Sequence, residues 1–382
     1  MRYVISMILL AASLSGTAHA EELKIGAAVS MTGSFAYADV PAVEGMQVAI
    51  DELNENGGIA GKYPIKLDIK DGRSDPAQTV IAAEELLSDG AHVLILPADA
   101  DPAIGAGLQA TEAKTPAFTT VASSPTLPLS AGEYVFGNFP ADNLQTTASA
   151  EYARDMGYET AYLLYSPDSS YTQLPLYFKD VFEELGGEVV GEGVYNLGQQ
   201  NFSAIVTKIE AMDPQPDVIM TAAYEPDFPA FIKQLRAAGV EIPVIGSDGI
   251  DSATTFSLGD VVEGVVFTTA GFAQDGNALS EFYAAYEEKF GREAETIYTA
   301  LGYDIINIIE AAVKEAGTLD GESLRDAIAG LSGLEGVVGK ITYAGTDRAP
   351  LREVTIVRIE DGERVLVSQG VPDGSLVPDP EY

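Results

Sequence analysis

One stretch near the start of the chain decides the fold: LKIGAAVSMTGSFAYADVPAVEGMQVAIDELNENGGIAG, residues 23–61. Its first eight residues are mostly apolar, Lys24 and Ser30 apart, which predicts a strand over 23–30 covered on both faces. A Ser-, Thr- and Gly-bearing loop follows. Val43, Met46, Ile50 and Leu53 then recur at steps of three and four, so a helix is predicted over 41–56 with one buried face. Gly57-Gly58 stops it. Strand, loop and helix in this order make one βα unit.

The same unit repeats outward. Further strands are predicted at 65–71, 93–97 and 117–121, then in a second series at 160–165, 188–195, 217–221, 243–246 and 264–268. Helical stripes lie between them. Asp75-Pro76 and Asp101-Pro102 each read as an N-cap acid before a proline at the first helical position. A helix over 295–316 ends at Gly317. After Gly336 the chain turns strand-rich, at 336–343, 352–359 and 364–368, with a turn at Asp361-Gly362. Two such series predict an α/β protein of two doubly wound parallel-sheet lobes. Lobe 1 is expected over 21–141 and 270–345, lobe 2 over 142–269 and 346–370, and a C-terminal tail over 371–382.

The first 20 residues read as a secretory leader. Arg2 is the positive end, 4–12 is apolar but short for a membrane span, and Ala18-His19-Ala20 is a small-x-small cleavage site. Cleavage near Ala20 is expected to release a soluble periplasmic protein. The chain has no cysteine, hence no disulfide and no lipid attachment point. Across 382 residues, 21 Lys+Arg stand against 58 Asp+Glu, a formal charge of −37. That surface repels nucleic acid and anionic head groups, and neither is an expected partner.

Catalytic material is scarce. Loss of His19 with the leader leaves His92 at a strand start, where a structural role is expected, and zinc sites or His relays have no residues to use. Gly105-x-Gly107-x-x-Ala110 superficially matches a dinucleotide fingerprint, but it falls inside a predicted helix and not at its strand-to-helix turn. No enzyme activity, cofactor or metal is expected.

Ligands of open α/β sheets bind beyond the carboxyl ends of the strands. The loops there are 30–37, 98–101, 121–124, 166–171, 222–225, 247–251 and the helix start at 296–298. Their Ser, Asp and Tyr residues suit a small polar solute.

These segments carry a family resemblance. LKIGAAVSMTG (23–33), EGMQVAIDELNENGGIAG (44–61), DGRSDPA (71–77), VASSP (121–125) and YTALGYD (298–304) resemble the branched-chain amino acid binding proteins of ABC transporters. The resemblance covers nearly the whole mature chain. It implies the type I periplasmic binding fold, two lobes joined by a three-crossing hinge that close on an amino acid or close derivative. It also implies a permease partner in the membrane, and a monomer is the expected state. By the same resemblance Ser123 helps hold the solute's carboxylate and ammonium, the Val121 carbonyl accepts from the ammonium, and Asp248 pairs with it. Tyr171, Tyr224 and Tyr298 are aromatic walls, with Tyr37 near another.

One position departs from the pattern. Asp99 stands at or beside a serine whose loop offers backbone amides, Ala100's among them, to a carboxylate. Two facing carboxylates repel. Either Asp99 turns away and leaves the amides to bind, or the solute presents a donor or cation there, as an amine, polyamine, amide, hydroxylated compound or basic amino acid does. A ligand-sensing subunit is the alternative of another class.

Overall fold

The computed structural model describes residues 21–167 and 173–380. The leader and Tyr171 lie outside the described residues. Five strands, β1 (Leu23–Val29), β2 (Ile65–Asp71), β3 (Val93–Leu96), β4 (Ala117–Thr119) and β5 (Val135–Phe136), form one parallel sheet in the order β2-β1-β3-β4-β5. Between them run α1 (Ala36–Glu55), α2 (Pro76–Ser88), α3 (Ala100–Glu112) and α4 (Leu127–Ala131). Alternate residues of β3 face opposite sides, as a strand requires. Val93 and Ile95 pack toward α1, whereas Leu94 and Leu96 pack toward α2 and α3. Both faces of β3 are therefore dry, which is why that strand is uniformly apolar.

The chain leaves this sheet through α5 (Asp142–Asp155) and builds a second one. Its parallel strands are β6 (Thr160–Tyr165), β7 (Glu188–Val194), β8 (Val218–Thr221), β9 (Val244–Gly246) and β10 (Val266–Thr269). They alternate with α6 (Gln173–Glu184), α7 (Ser203–Glu210), α8 (Asp227–Ala237) and α9 (Ala253–Phe256). The chain then returns to the first sheet with α10 (Ala278–Phe290), α11 (Tyr298–Ala316) and α12 (Gly321–Ala329), followed by the hairpin β11 (Leu334–Gly336) and β12 (Gly339–Ile341). It crosses once more to place β13 (Val354–Glu360) and β14 (Glu363–Gly370) antiparallel at the edge of the second sheet, in the order β14-β13-β10-β9-β8-β6-β7. Three crossings between two sheets give the type I periplasmic binding fold. Asp361 (φ 51°) and Gly362 (φ 78°) form the left-handed turn that joins β13 to β14. Beyond β14, Leu376 and Val377 pack on the second sheet's core, and Asn143 donates to the Pro378 carbonyl.

Three local expectations are corrected. Helix α1 begins five residues before Pro41 and carries the proline inside it. The lost bond falls in the first two turns, where Pro41 offers no N–H to the Tyr37 carbonyl. Helix α3 starts at Ala100, so Asp99 and not Asp101 is its N-cap residue. The strand expected over 336–343 is split, because the chain reverses at Val337-Val338 into the β11–β12 hairpin.

Other expectations hold. Asp75 caps α2 by accepting from the Gln78 amide at 2.9 Å. His92 has a structural bond, its Nδ1 accepting from the Lys24 amide at 3.0 Å. Gly107 lies inside α3, where an added Cβ would stand 2.8 Å from the Ala131 Cβ, so it is a packing glycine.

Helices α1 and α11 cross backbone to backbone. A Cβ on Gly45 would lie 1.7 Å from the Thr299 carbonyl oxygen, and one on Gly302 would lie 1.8 Å from that of Ala42. The contact brings together the glycines of the EGMQ and ALGY segments.

Candidate ligand-binding cleft

The carboxyl ends of β1, β3 and β4 are gathered by a single buried acid. Asp39, in the first turn of α1, is fully buried; its Oδ2 accepts from the Ser30 amide at 2.7 Å. Its Oδ1 accepts from the Ala98 amide at 2.8 Å and the Thr120 hydroxyl at 2.6 Å. Burial pushes its carboxyl up to about 6, and those donors pull the other way. Asp39→Asn replaces one acceptor oxygen by a donor facing a donor, a loss of about 1 kcal/mol. The expected result is a melting point a few degrees lower together with weaker solute binding. Calorimetry and titration check it, and unchanged affinity would mean the loops hold their places without Asp39.

Against this frame Tyr37, Ala100, Val121 and Ser123 line one cavity, with Phe35, Ala98 and Ser124. Tyr37 stacks on Phe35 at 6.1 Å between ring centroids. The second sheet supplies the facing wall. Asp248 opens a 3-10 turn after β9 and is 2 % exposed. Tyr224, after β8, packs where a Gly249 Cβ would stand 2.8 Å from its own Cβ, so Gly249 keeps tyrosine and acid side by side. Across from them Tyr298, the first residue of α11, is buried and donates its hydroxyl to Asp248 Oδ2 at 2.9 Å. Its ring stands edge-on to Phe139 at 6.3 Å. The loss of hydration between these walls, and then the Asp248 carboxylate, raise the Tyr37 phenol; Tyr224, Asp39 and Asp99 add to the effect.

Of the sequence-derived residues, Tyr37, Val121 and Ser123 thus line one cavity, Asp248 and Tyr224 act on the Tyr37 phenol, and Tyr298 is bonded to Asp248. Asp99 sits at the cavity's edge, half-buried. Its carboxyl is pushed up by burial and by Asp101, and drawn back by the amides of Ala100 and Asp101. Among these cleft residues there is no lysine or arginine.

Three structural residues escaped the sequence reading. Asp39 could have been found, since it stands on the buried stripe of α1, three and four residues before Ala42 and Val43. Asp142, at the start of α5, is fully buried beside Ser123. Asp304 lies in α11, where Arg352, from the last crossing, donates to its Oδ2 at 3.0 Å and to Asn138 Oδ1 at 2.9 Å. Asn138 belongs to the first crossing and donates to the carbonyls of Thr120 and Leu301. Asp304 also accepts from the Val337 amide at 2.7 Å. Arg352 and Asp304 are both without solvent exposure, so an ion pair ties the crossings together at the edge of lobe 1.

Residues 22–364 match the model of the periplasmic binding protein family, and the chain belongs to that family. Among curated relatives it is similar to the Leu/Ile/Val-binding protein BraC3 of Rhizobium johnstonii, 26 % identical over 355 residues, 91 % of this chain and 94 % of that one. Among solved structures it is similar to a leucine-binding protein LivK of Thermotoga maritima, 25 % identical with a TM-score of 0.81, covering 92 % of this chain and 99 % of the other. It is also similar to a solute-binding protein of an ABC transporter from Rhodopseudomonas palustris BisB5 in complex with 3,4-dihydroxybenzoic acid. That protein is 26 % identical, with a TM-score of 0.80, over 92 % of this chain and 98 % of its own.

Proposed function

We propose that this protein is the solute-binding component of an ABC importer and that it captures an amino acid, or a close derivative bearing an ammonium group, between its lobes. The observation that supports the reading is the Asp248 carboxylate, buried against Tyr298 of the other wall, with no lysine or arginine among the described residues that line the cavity at Tyr37 and Ser123. Such a site repels a solute whose only charge is negative and attracts one that brings a cation. An α-carboxylate is left to the Ser123 hydroxyl and the amides at the start of α3. Closure on the solute favours the form that docks on the membrane permease. The relatives named for leucine, isoleucine and valine support this reading, and the relative holding dihydroxybenzoate marks its competitor. The periplasm is the proposed location, and a monomer the proposed state.

A thermal-shift screen of the protein, unfolded and refolded to strip carried-over solute, tests it. Neutral and basic amino acids, amines, amides and aromatic acids form the panel. A solute at a hundred times its dissociation constant adds about 2.7 kcal/mol and raises the melting point by several degrees. Response to amino acids supports the reading; response to aromatic acids alone overturns it. Asp248→Ala should then weaken binding of the responding amino acid at least tenfold while leaving the unliganded melting point nearly unchanged. Equal affinity in that variant removes Asp248 from the site.

A further inference from the structure

A second cavity, of about 240 Å³, opens where the chain passes from β10 to α10 at the second crossing. It shares no lining residue with the cavity at Tyr37 and Ser123. One wall belongs to the second sheet and carries Asp251, Thr269, Val357, Glu363 and Arg364. The other carries Tyr283 of α10, with Glu295 and Thr296 just before α11. Two properties of this space point to a ligand.

One is unspent hydrogen-bonding capacity. Thr268 gives its hydroxyl to Gln145 Oε1 at 2.7 Å, on the α5 face of the sheet. Successive residues of a strand face opposite ways, so Thr269 turns to the other face, the one from which Val357 lines the cavity. Thr269 is 3 % exposed, and its hydroxyl has no hydrogen-bond partner among the described residues. The Thr296 hydroxyl, on the facing wall, is buried and unpartnered in the same way. Such groups are rare in a folded chain unless something else is to meet them.

The other property is charge. Three carboxylates line the cavity against one guanidinium. Arg364 is already engaged: its Nε donates to Asp251 Oδ1 at 2.7 Å, its Nη2 reaches the same oxygen, and its guanidinium stands 4.2 Å from the Phe256 ring centre. The Glu295 and Glu363 carboxylates have no hydrogen bond or ion pair among the described residues. Arg292 feels Glu295 but is held by both carboxyl oxygens of Glu44 at 2.7 Å. No set of acids and histidines among the described residues gathers closely enough to hold a metal ion. The free negative charge therefore suits an extended organic cation.

We propose that this cavity is a second ligand site, for a small organic cation of the amine or diamine class, spanning the two walls beside the hinge. Glu295 attracts the cation from one wall and Glu363 from the other, and the Thr269 hydroxyl accepts an N–H. Tyr283 and Phe272 offer apolar surface to its methylene chain. The site is separate from the cleft at Ser123, and it does not depend on which solute that cleft takes.

The probe is 1,4-diaminobutane, with 1,4-butanediol and succinate as the uncharged and anionic compounds of equal chain length. Titration calorimetry at low ionic strength should show binding of the diamine alone, weakening as salt is added. Glu295→Gln and Glu363→Gln should each weaken it by about three- to fivefold, since each removes one exposed charge partner. Thr269→Val separates a binding role from a structural one. It should bind the diamine more weakly yet melt higher without it, because a methyl group replaces a buried hydroxyl that has no partner. Asp248→Ala tells the two sites apart and should leave diamine affinity intact. Affinity lost in Asp248→Ala but kept in both glutamine variants would assign the cation to the Ser123 cleft and overturn the proposal. Absence of diamine binding, or equal binding of butanediol or succinate, would overturn it as well. So would a Thr269→Val protein that melts lower and binds as before. Weakening in only one of the glutamine variants would overturn the span between walls.

Discussion

Arg352→Met is expected to lower the melting point by roughly 6–10 °C, because removing one member of a buried ion pair costs about 3–5 kcal/mol. The arginine reaches Asp304 on α11 and Asn138 on the first crossing from a position with no solvent exposure. Methionine fills most of the same volume but leaves the Asp304 carboxylate in a dry interior, held by the backbone amides at Val337 and Val338 and the Asn307 side-chain amide without its cation. Scanning calorimetry of both proteins at pH 8 decides the matter; a loss under about 2 °C would show that the ion pair is dispensable. Affinity is a separate readout, and a hinge loosened at this end should also bind its solute less tightly.

Gly302→Ala should cost about 3 kcal/mol, at the upper end of overpacking penalties, and lower the melting point by roughly 6 °C. The new methyl would stand 1.8 Å from the Ala42 carbonyl oxygen and 2.6 Å from its carbon, both main-chain atoms without freedom to rotate aside. The two helices must separate. Because α1 opens with the Tyr37 turn and α11 with Tyr298, that separation also spreads the cleft, and weaker solute binding should accompany the lower melting point. Gly370→Ala is the control, since an added Cβ there meets nothing within 4 Å. A Gly302→Ala protein that melts like wild type would mean the helix contact is looser than described.

The two-sheet architecture was legible because the central strands of both sheets are buried on both faces, which leaves apolar runs such as 93–97 that no amphipathic surface strand displays. The loops that face the cleft were legible too, from the rule that binding loops follow strand ends, and the family resemblance supplied Ser123, Asp248 and Tyr298 as candidates. What was hidden depends on partners far apart in sequence. Asp304 and Arg352 are 48 residues apart and Asn138 is 214 from Arg352, and among 58 acidic residues nothing local distinguishes a buried aspartate from a solvated one. The start of α1 was missed for another reason. Pro41 reads as a first helical residue, and only the loop packed beneath Asp39 shows that the helix began before it.

Asp39 has one more consequence. The backbones of three ligand-facing loops are fixed by an acid that contributes nothing to the cavity lining, so shape and taste are assigned to different residues. On the proposed reading, substitutions at Tyr37, Asp99 or Ser123 would change which solute is welcome while the loops stay in place. A lineage built this way can exchange one nutrient for another by a handful of surface replacements, without passing through an unfolded ancestor.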